Sequence, residues 1–135
     1  MIDLRRFIRD VPGFPRKGIV FKDITPLLAD PGALAEAVRQ LAASGSRPDA
    51  VVAIESRGFV FGTGLALHWG VRPLPVGTMA DSDDQIRLVE DTLLAAGFKK
   101  GDVVVITMGV PLESRGSTNL MKVHKLGAGR FYEIF

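Results

Sequence analysis

Residues 50–62 read A-V-V-A-I-E-S-R-G-F-V-F-G, and the order of chemistry along them decides the fold. Ala50–Ile54 is a continuous apolar run of the kind that a strand buried on both faces requires. The polar tetrapeptide Glu55-Ser56-Arg57-Gly58 breaks it, and a helix can then run from Phe59 to Trp69. A buried strand that feeds a turn and then a helix opens a βαβ unit.

On the C-terminal side the pattern repeats. Val71–Val76 reads as a second strand, weakened by Pro73 and Pro75. Ser82 and Gln85 form the S-x-x-Q capping pattern ahead of Ile86, Val89, Leu93 and Leu94, and Gly97 closes that helix. Val103–Thr107 is a third buried strand. Leu120–His124 and Arg130–Ile134 read as a hairpin across Gly127-Ala128-Gly129. On the N-terminal side, Leu4, Phe7, Ile8 and Val11 follow helical spacing up to Pro12. Residues 12–18 are too rich in proline and glycine for regular structure, and Ile19–Phe21 is a short extended piece. Asp30 then caps a helix with Pro31 in its first turn and Leu34, Ala37, Val38 and Leu41 on its apolar stripe. Right-handed crossovers turn the central β-α-β-α-β into a parallel sheet. The expected fold is therefore α/β, a three-layer Rossmann-like architecture whose mostly parallel sheet carries antiparallel C-terminal edge strands, in a single domain over residues 1–135.

Composition narrows the function classes. The chain has 135 residues, of which 47% are hydrophobic, enough for a folded core. No apolar run is long enough to span a membrane, no secretory signal opens the chain, and cysteine is absent, so a cytoplasmic protein without disulfides is expected. Seventeen basic residues face 15 acidic ones without clustering, which argues against a nucleic-acid partner.

The turn after the first buried strand is the strongest site candidate. Backbone N–H groups around Ser56–Gly58 open a helix, where the dipole favours an anion. Ser56 adds a hydroxyl, Arg57 a charged fork and Gly58 room for close approach, at the carboxyl end of a strand where α/β sheets bind ligands. The plainer reading makes Glu55 and Arg57 a solvated pair and Gly58 a turn residue. A second Glu113-Ser114-Arg115-Gly116 follows the third strand and runs into Ser117-Thr118; it reads as a polar loop or as a further anion contact. His68 and His124 read as packing or surface residues, and Trp69 as a helix-end anchor. Asp81, Asp83 and Asp84 read as helix N-terminal acids, so no metal site and no cofactor are expected.

The strings I-R-D-V-P-G-F-P-R-K-G-I-V-F-K-D-I-T-P-L-L-A-D-P (8–31) and V-V-A-I-E-S-R-G-F-V-F-G (51–62) resemble the adenine phosphoribosyltransferases over about residues 1–64. Gly13 stands where that family more often has aspartate. The resemblance implies that Val20 and Lys22 offer backbone contacts to adenine, that Phe21 packs on the base, and that Glu55, Ser56, Arg57 and Gly58 form the pyrophosphate-side loop. Core packing is the competing role for Phe21. The family's acidic pair at the end of a later strand, and the Gly/Thr-rich loop after it, are replaced here by Thr107-Met108-Gly109-Val110.

Residues 65–126 resemble instead the pyruvate kinase C-terminal domain, through L-A-L-H-W-G-V-R-P-L-P-V (65–76), K-K-G-D-V-V-V-I-T-M-G-V-P-L (99–112) and G-S-T-N-L-M-K-V-H (116–124). That resemblance implies a non-catalytic, effector-binding role, with Ser114, Arg115, Gly116, Ser117 and Thr118 as the candidate effector loop. Residues 127–135 match neither family. Together these readings predict an engineered or recombined chimera joined between Gly62 and Gly70, non-catalytic and at most a weak binder of phosphate, AMP or a sugar phosphate. The alternatives are an active adenine phosphoribosyltransferase and a sugar-phosphate regulatory module. Apolar surface at the N-terminal segment and at Phe131–Phe135 favours a homodimer.

Overall fold

The computed structural model describes residues 1–79, 82–108 and 120–127; of Arg57, Ser82 and Leu120 it describes the backbone. The chain divides into two compact units, Met1–Gly45 and Ser46–Phe135.

In the first unit, the helix expected over residues 4–11 is replaced by a 3₁₀ turn at Leu4–Phe7 and a strand, β1 (Arg9–Pro12). β1 pairs antiparallel with β2 (Val20–Asp23), Val11 opposite Phe21. The cause is local. Asp3 caps the short turn by accepting from the Arg5 N–H, and the bend at residues 13–19 brings a strand partner within reach. The Gly13 N–H donates to the Ile19 carbonyl at 2.7 Å, closing that bend. Two short-range helices follow, α1 (Thr25–Ala29), which the sequence did not signal, and α2 (Pro31–Ala43). α2 starts as expected, with Asp30 accepting from the Ala33 N–H at 2.7 Å. Its buried stripe is Ala33, Ala37 and Ala42, with Leu34, Val38 and Leu41 half-buried beside it.

The second unit is the three-layer part. Its strands are β3 (Ala50–Ile54), β4 (Arg72–Val76), β5 (Val103–Met108) and β6 (Leu120–Lys125), in the order β4-β3-β5-β6. β3 runs parallel to both neighbours, and β6 lies antiparallel to β5 at the edge, Val104 opposite His124. The strand expected at 130–134 lies outside the described residues. β4 tolerates Pro73 and Pro75 because it occupies the other edge of this described sheet, where a missing N–H need not break a ladder.

Alternation along the strands assigns the two faces. Ala50, Val52, Ile54, Val104, Ile106 and Met108 pack with Ile86, Val89 and Leu93 of α4 (Ser82–Ala95). The opposite face, with Ala53 and Thr107, carries α3 (Arg57–Trp69). Every residue of β3 is buried, as a strand sandwiched between helices must be.

Two glycines let α3 sit close. A β-carbon at Gly62 would come within 2.5 Å of the Ala53 β-carbon, and one at Gly58 within 2.4 Å of the Thr107 carbonyl oxygen. α3 ends at Gly70, whose φ of 65° is the left-handed conformation of a helix stop. Trp69 is half-buried and His68 exposed beside it. No helix among the described residues is long and apolar enough to cross a membrane.

Candidate functional site

The carboxyl end of the parallel strands collects the turn that the sequence singled out. β3 extends one residue further by the Glu55 N–H donating to the Val76 carbonyl at 3.0 Å, and the Thr78 hydroxyl donates to the Glu55 carbonyl at 2.7 Å. Glu55 and Ser56 are exposed, and the peptide joining them is cis. Ser56 occupies the cap position of the 13-residue α3, and its hydroxyl makes no capping hydrogen bond. In the first turn the Phe59 N–H donates to the Ser56 carbonyl at 3.1 Å, which leaves the Ser56 hydroxyl and the Arg57 and Gly58 N–H groups as the candidate donors to an anion at this helix N-terminus. The Arg57 side chain lies outside what the structure describes.

Gly58 is buried, and its close neighbour is β5. The Thr107 hydroxyl donates to the Gly58 carbonyl at 2.8 Å. The sequence reading gave Gly58 a ligand-approach role; in the structure its lack of a β-carbon serves the packing of α3 on β5. Beside the turn, the loop after β4 is fixed by Gln85. This fully buried side chain accepts from the Met79 N–H at 2.7 Å and donates to the Gly77 carbonyl at 2.9 Å. The S-x-x-Q pattern thus does more than cap a helix, since Gln85 reaches back to the preceding loop.

In the first unit, Val20, Phe21 and Lys22 are consecutive on β2. Val20 is exposed, and the Phe21 ring meets Phe14 edge-on at 5.3 Å between centroids. The Lys22 ammonium pairs with Asp10 across the hairpin at 2.6 Å. Next to them Asp23 is buried and accepts from the Thr25 N–H and hydroxyl and from Arg9. The Thr25 N–H, then its hydroxyl, then Arg9, hold the Asp23 carboxyl below the usual carboxylate range.

Ser114, Arg115, Gly116, Ser117 and Thr118 lie outside the described residues, as does Asp81. Asp83 and Asp84 lie in the first turn of α4, where acids complement the dipole. Among the described residues no group of His, Cys, Asp and Glu could hold a metal ion. His124 is buried on β6, and its Nε2 lies 3.2 Å from Glu90 of α4, which also accepts from the Gly127 N–H at 3.1 Å. Sequence reasoning missed this pair, because 34 positions separate its members. It missed the Thr107 contact too, although a lone hydroxyl inside V-V-V-I-T-M was a usable signal.

Known proteins fall on both sides of the sequence reading. Residues 39–124 match the family described as Pyruvate kinase, alpha/beta domain. Among curated proteins, adenine phosphoribosyltransferase of a Synechococcus species is 54% identical over 78 residues, covering 56% of this chain and 45% of that protein. That of Sphingopyxis alaskensis is 35% identical over 126 residues, covering 92% of this chain and 57% of that one. The solved structure of the Giardia lamblia enzyme, complexed with 9-deazaadenine, superposes with a TM-score of 0.53 at 28% identity, over 90% of this chain and 57% of that one. The chain thus spans about half the length of the curated relatives it matches. These likenesses favour the adenine phosphoribosyltransferase alternative over the expected non-catalytic chimera, which finds no support in them. The chain is homologous to the adenine phosphoribosyltransferases, and over residues 39–124 it belongs to the family of the pyruvate kinase alpha/beta domain.

Proposed function

We propose that this chain acts in adenine phosphoribosyl transfer, binding adenine and phosphoribosyl pyrophosphate and forming AMP and pyrophosphate. The observation that carries the reading is the strand–turn–helix at Ala50–Trp69, with an exposed Ser56 donor surface at the carboxyl end of a buried parallel strand. Homology along 92% of the chain to a protein of that name supports it. In this reading Glu55, Ser56, Arg57 and Gly58 bind the pyrophosphate side. Val20 and Lys22 offer backbone groups to the base, and the Phe21 ring packs on it. The base nitrogen attacks the anomeric carbon, the bond to pyrophosphate breaks with its electron pair leaving on pyrophosphate, and the base loses a proton to solvent.

Thr107-Met108 ends β5 where the resemblance leads one to expect two acidic residues, so turnover is expected to be slow while binding persists. The test is AMP formation from adenine and phosphoribosyl pyrophosphate, read by chromatography. It is joined to thermal melts with AMP and with pyrophosphate, since a ligand of the native state raises Tm. AMP above background supports transfer. Binding without AMP would leave the non-catalytic binder, and neither result leaves nothing of the proposal.

A joined origin, about residues 1–64 from one family and 65–126 from the other in one domain, belongs to the same proposal. The match to the pyruvate kinase alpha/beta domain begins at residue 39, ahead of that join, so what it supports is the effector ligand rather than the junction; fructose 1,6-bisphosphate is therefore included in the melts. Phosphate, AMP and sugar phosphates are the proposed partners. Exposed Phe14 and Val20 support a homodimer, which light scattering reads directly.

A further inference from the structure

We propose that Thr107 is a positioning residue for the anion-binding turn, acting through Gly58; this rests on the reading of Ser56–Gly58 as the pyrophosphate-side loop. Thr107 is buried in an otherwise aliphatic strand, and burying a hydroxyl there is unfavourable unless it is hydrogen-bonded. Its partner is the Gly58 carbonyl at 2.8 Å, in the first turn of α3. The contact is tightened from both sides. The Gly58 α-carbon lies so close to the Thr107 carbonyl that no side chain fits between, and the Thr107 hydroxyl lies 2.7 Å from where a Gly62 β-carbon would stand.

One threonine therefore sets both the height and the rotation of the first turn of α3 against β5. The N–H groups that would face a pyrophosphate belong to that turn, so their direction follows from this contact. The Thr107 hydroxyl is spent on Gly58, and its part in binding is to aim other donors. A fixed donor array loses less freedom on binding than one that must be ordered first.

The experiment measures the affinity of the full chain for inorganic pyrophosphate and, separately, for adenine, by calorimetry. Wild type, Thr107→Val and Thr107→Ser are compared. Valine keeps the shape and removes the hydroxyl, so pyrophosphate affinity is expected to fall about threefold to tenfold, the worth of one buried hydrogen bond. Adenine affinity is expected to stay unchanged. Serine restores the hydroxyl and with it pyrophosphate binding. Amide exchange at Phe59–Gly62 is expected to speed up in the valine variant and not in the serine one.

Wild-type pyrophosphate affinity in the folded valine variant overturns the role, and so does equal weakening in both variants, which would make the methyl packing the cause. If the valine variant does not fold, serine carries the test, and a weakened serine variant overturns the role. A wild-type chain that takes up no pyrophosphate overturns the reading of the turn itself. That result is distinguishable because it appears before any substitution.

Discussion

Replacing Gly62 with alanine tests the packing that places the turn. The new β-carbon would stand 2.5 Å from the Ala53 β-carbon, 2.7 Å from the Thr107 hydroxyl oxygen and 3.3 Å from the Ala53 α-carbon. Carbon atoms prefer about 3.5–4.0 Å, so the overlap is roughly 1 Å. Neither neighbour can give way easily. Ala53 has no rotamer to change and lies in a strand paired on both sides, and Thr107 is hydrogen-bonded to Gly58. The helix must back off, opening gaps around Leu65 and Ala66, which are buried on it. Overpacking costs about 1–3 kcal/mol, and an overlap this large against neighbours that cannot move falls in the upper part of that range, about 2–3 kcal/mol. Alanine in a helix interior recovers about 1 kcal/mol of that through propensity. The net expectation is a loss of about 1–2 kcal/mol, and in a chain of 135 residues each kcal/mol lowers Tm by about 3–4 °C. Urea unfolding followed by circular dichroism measures it, with an unchanged m-value as the check on mechanism. The double variant Gly62→Ala, Ala53→Gly removes the overlap with Ala53, so its loss should fall short of the two single losses added together. A Gly62→Ala chain as stable as the wild type, or additive losses in the double variant, would refute the argument.

Gly70→Ala places a β-carbon at a φ of 65° and is expected to cost about 1–2 kcal/mol in the same unfolding assay. Gln85→Leu removes both bonds to the Gly77–Met79 loop; a loss of about 1–2 kcal/mol and faster exchange of the Met79 amide are expected. Arg47 donates to the Trp69 and Gly70 carbonyls at the end of α3; being exposed, it should cost no more than about 1 kcal/mol on replacement by alanine. The Glu36 carboxyl is held down to about 2 by Arg39 and Gln40, from an ordinary value of 4.5. A lowered folded value means stability present above the ordinary value and lost as pH falls from there towards 2. Thermal melts across that window should therefore decline less steeply for Glu36→Gln than for the wild type.

How much was legible follows from how local each signal is. Ala50–Ile54 was read to the residue, because a strand buried on both faces writes itself as an unbroken apolar run. The helix behind Asp30-Pro31 was read from its cap. The first residues misled, since Leu4, Phe7, Ile8 and Val11 have helical spacing while the backbone bonds of Arg9–Pro12 go to Val20–Asp23. Spacing cannot reveal a strand partner brought back by a bend. The turn at Ser56–Gly58 was legible as a place, but what holds it was not. Thr107 is 49 positions from Gly58, and Gln85 carried a capping signature that concealed its second use. His124, read as packing or surface, is buried against Glu90.

These supports are unevenly spread. At the amino end of the parallel strands the ties are exposed: Asp49 exchanges bonds with Val103, and Asp102 accepts from the Lys99 N–H. At the carboxyl end they include buried polar side chains, Gln85 on the loop after β4 and Thr107 on the turn after β3. Three polar side chains are buried among the described residues of this unit, the third being His124 between β6 and α4. Two of the three thus fix loops at the end where α/β sheets take ligands. A buried polar group costs more than an apolar one unless every bond is made. An apolar residue would fill Gln85's place and a valine Thr107's, so packing alone does not account for either. What both supply is direction, because each holds named backbone groups of a loop that packing alone would leave free to turn. A site that must aim donors at an anion needs that direction more than it needs stability. In the proposed function the carboxyl end of this sheet is the binding surface, and Gln85 and Thr107 are the side chains that aim its loops.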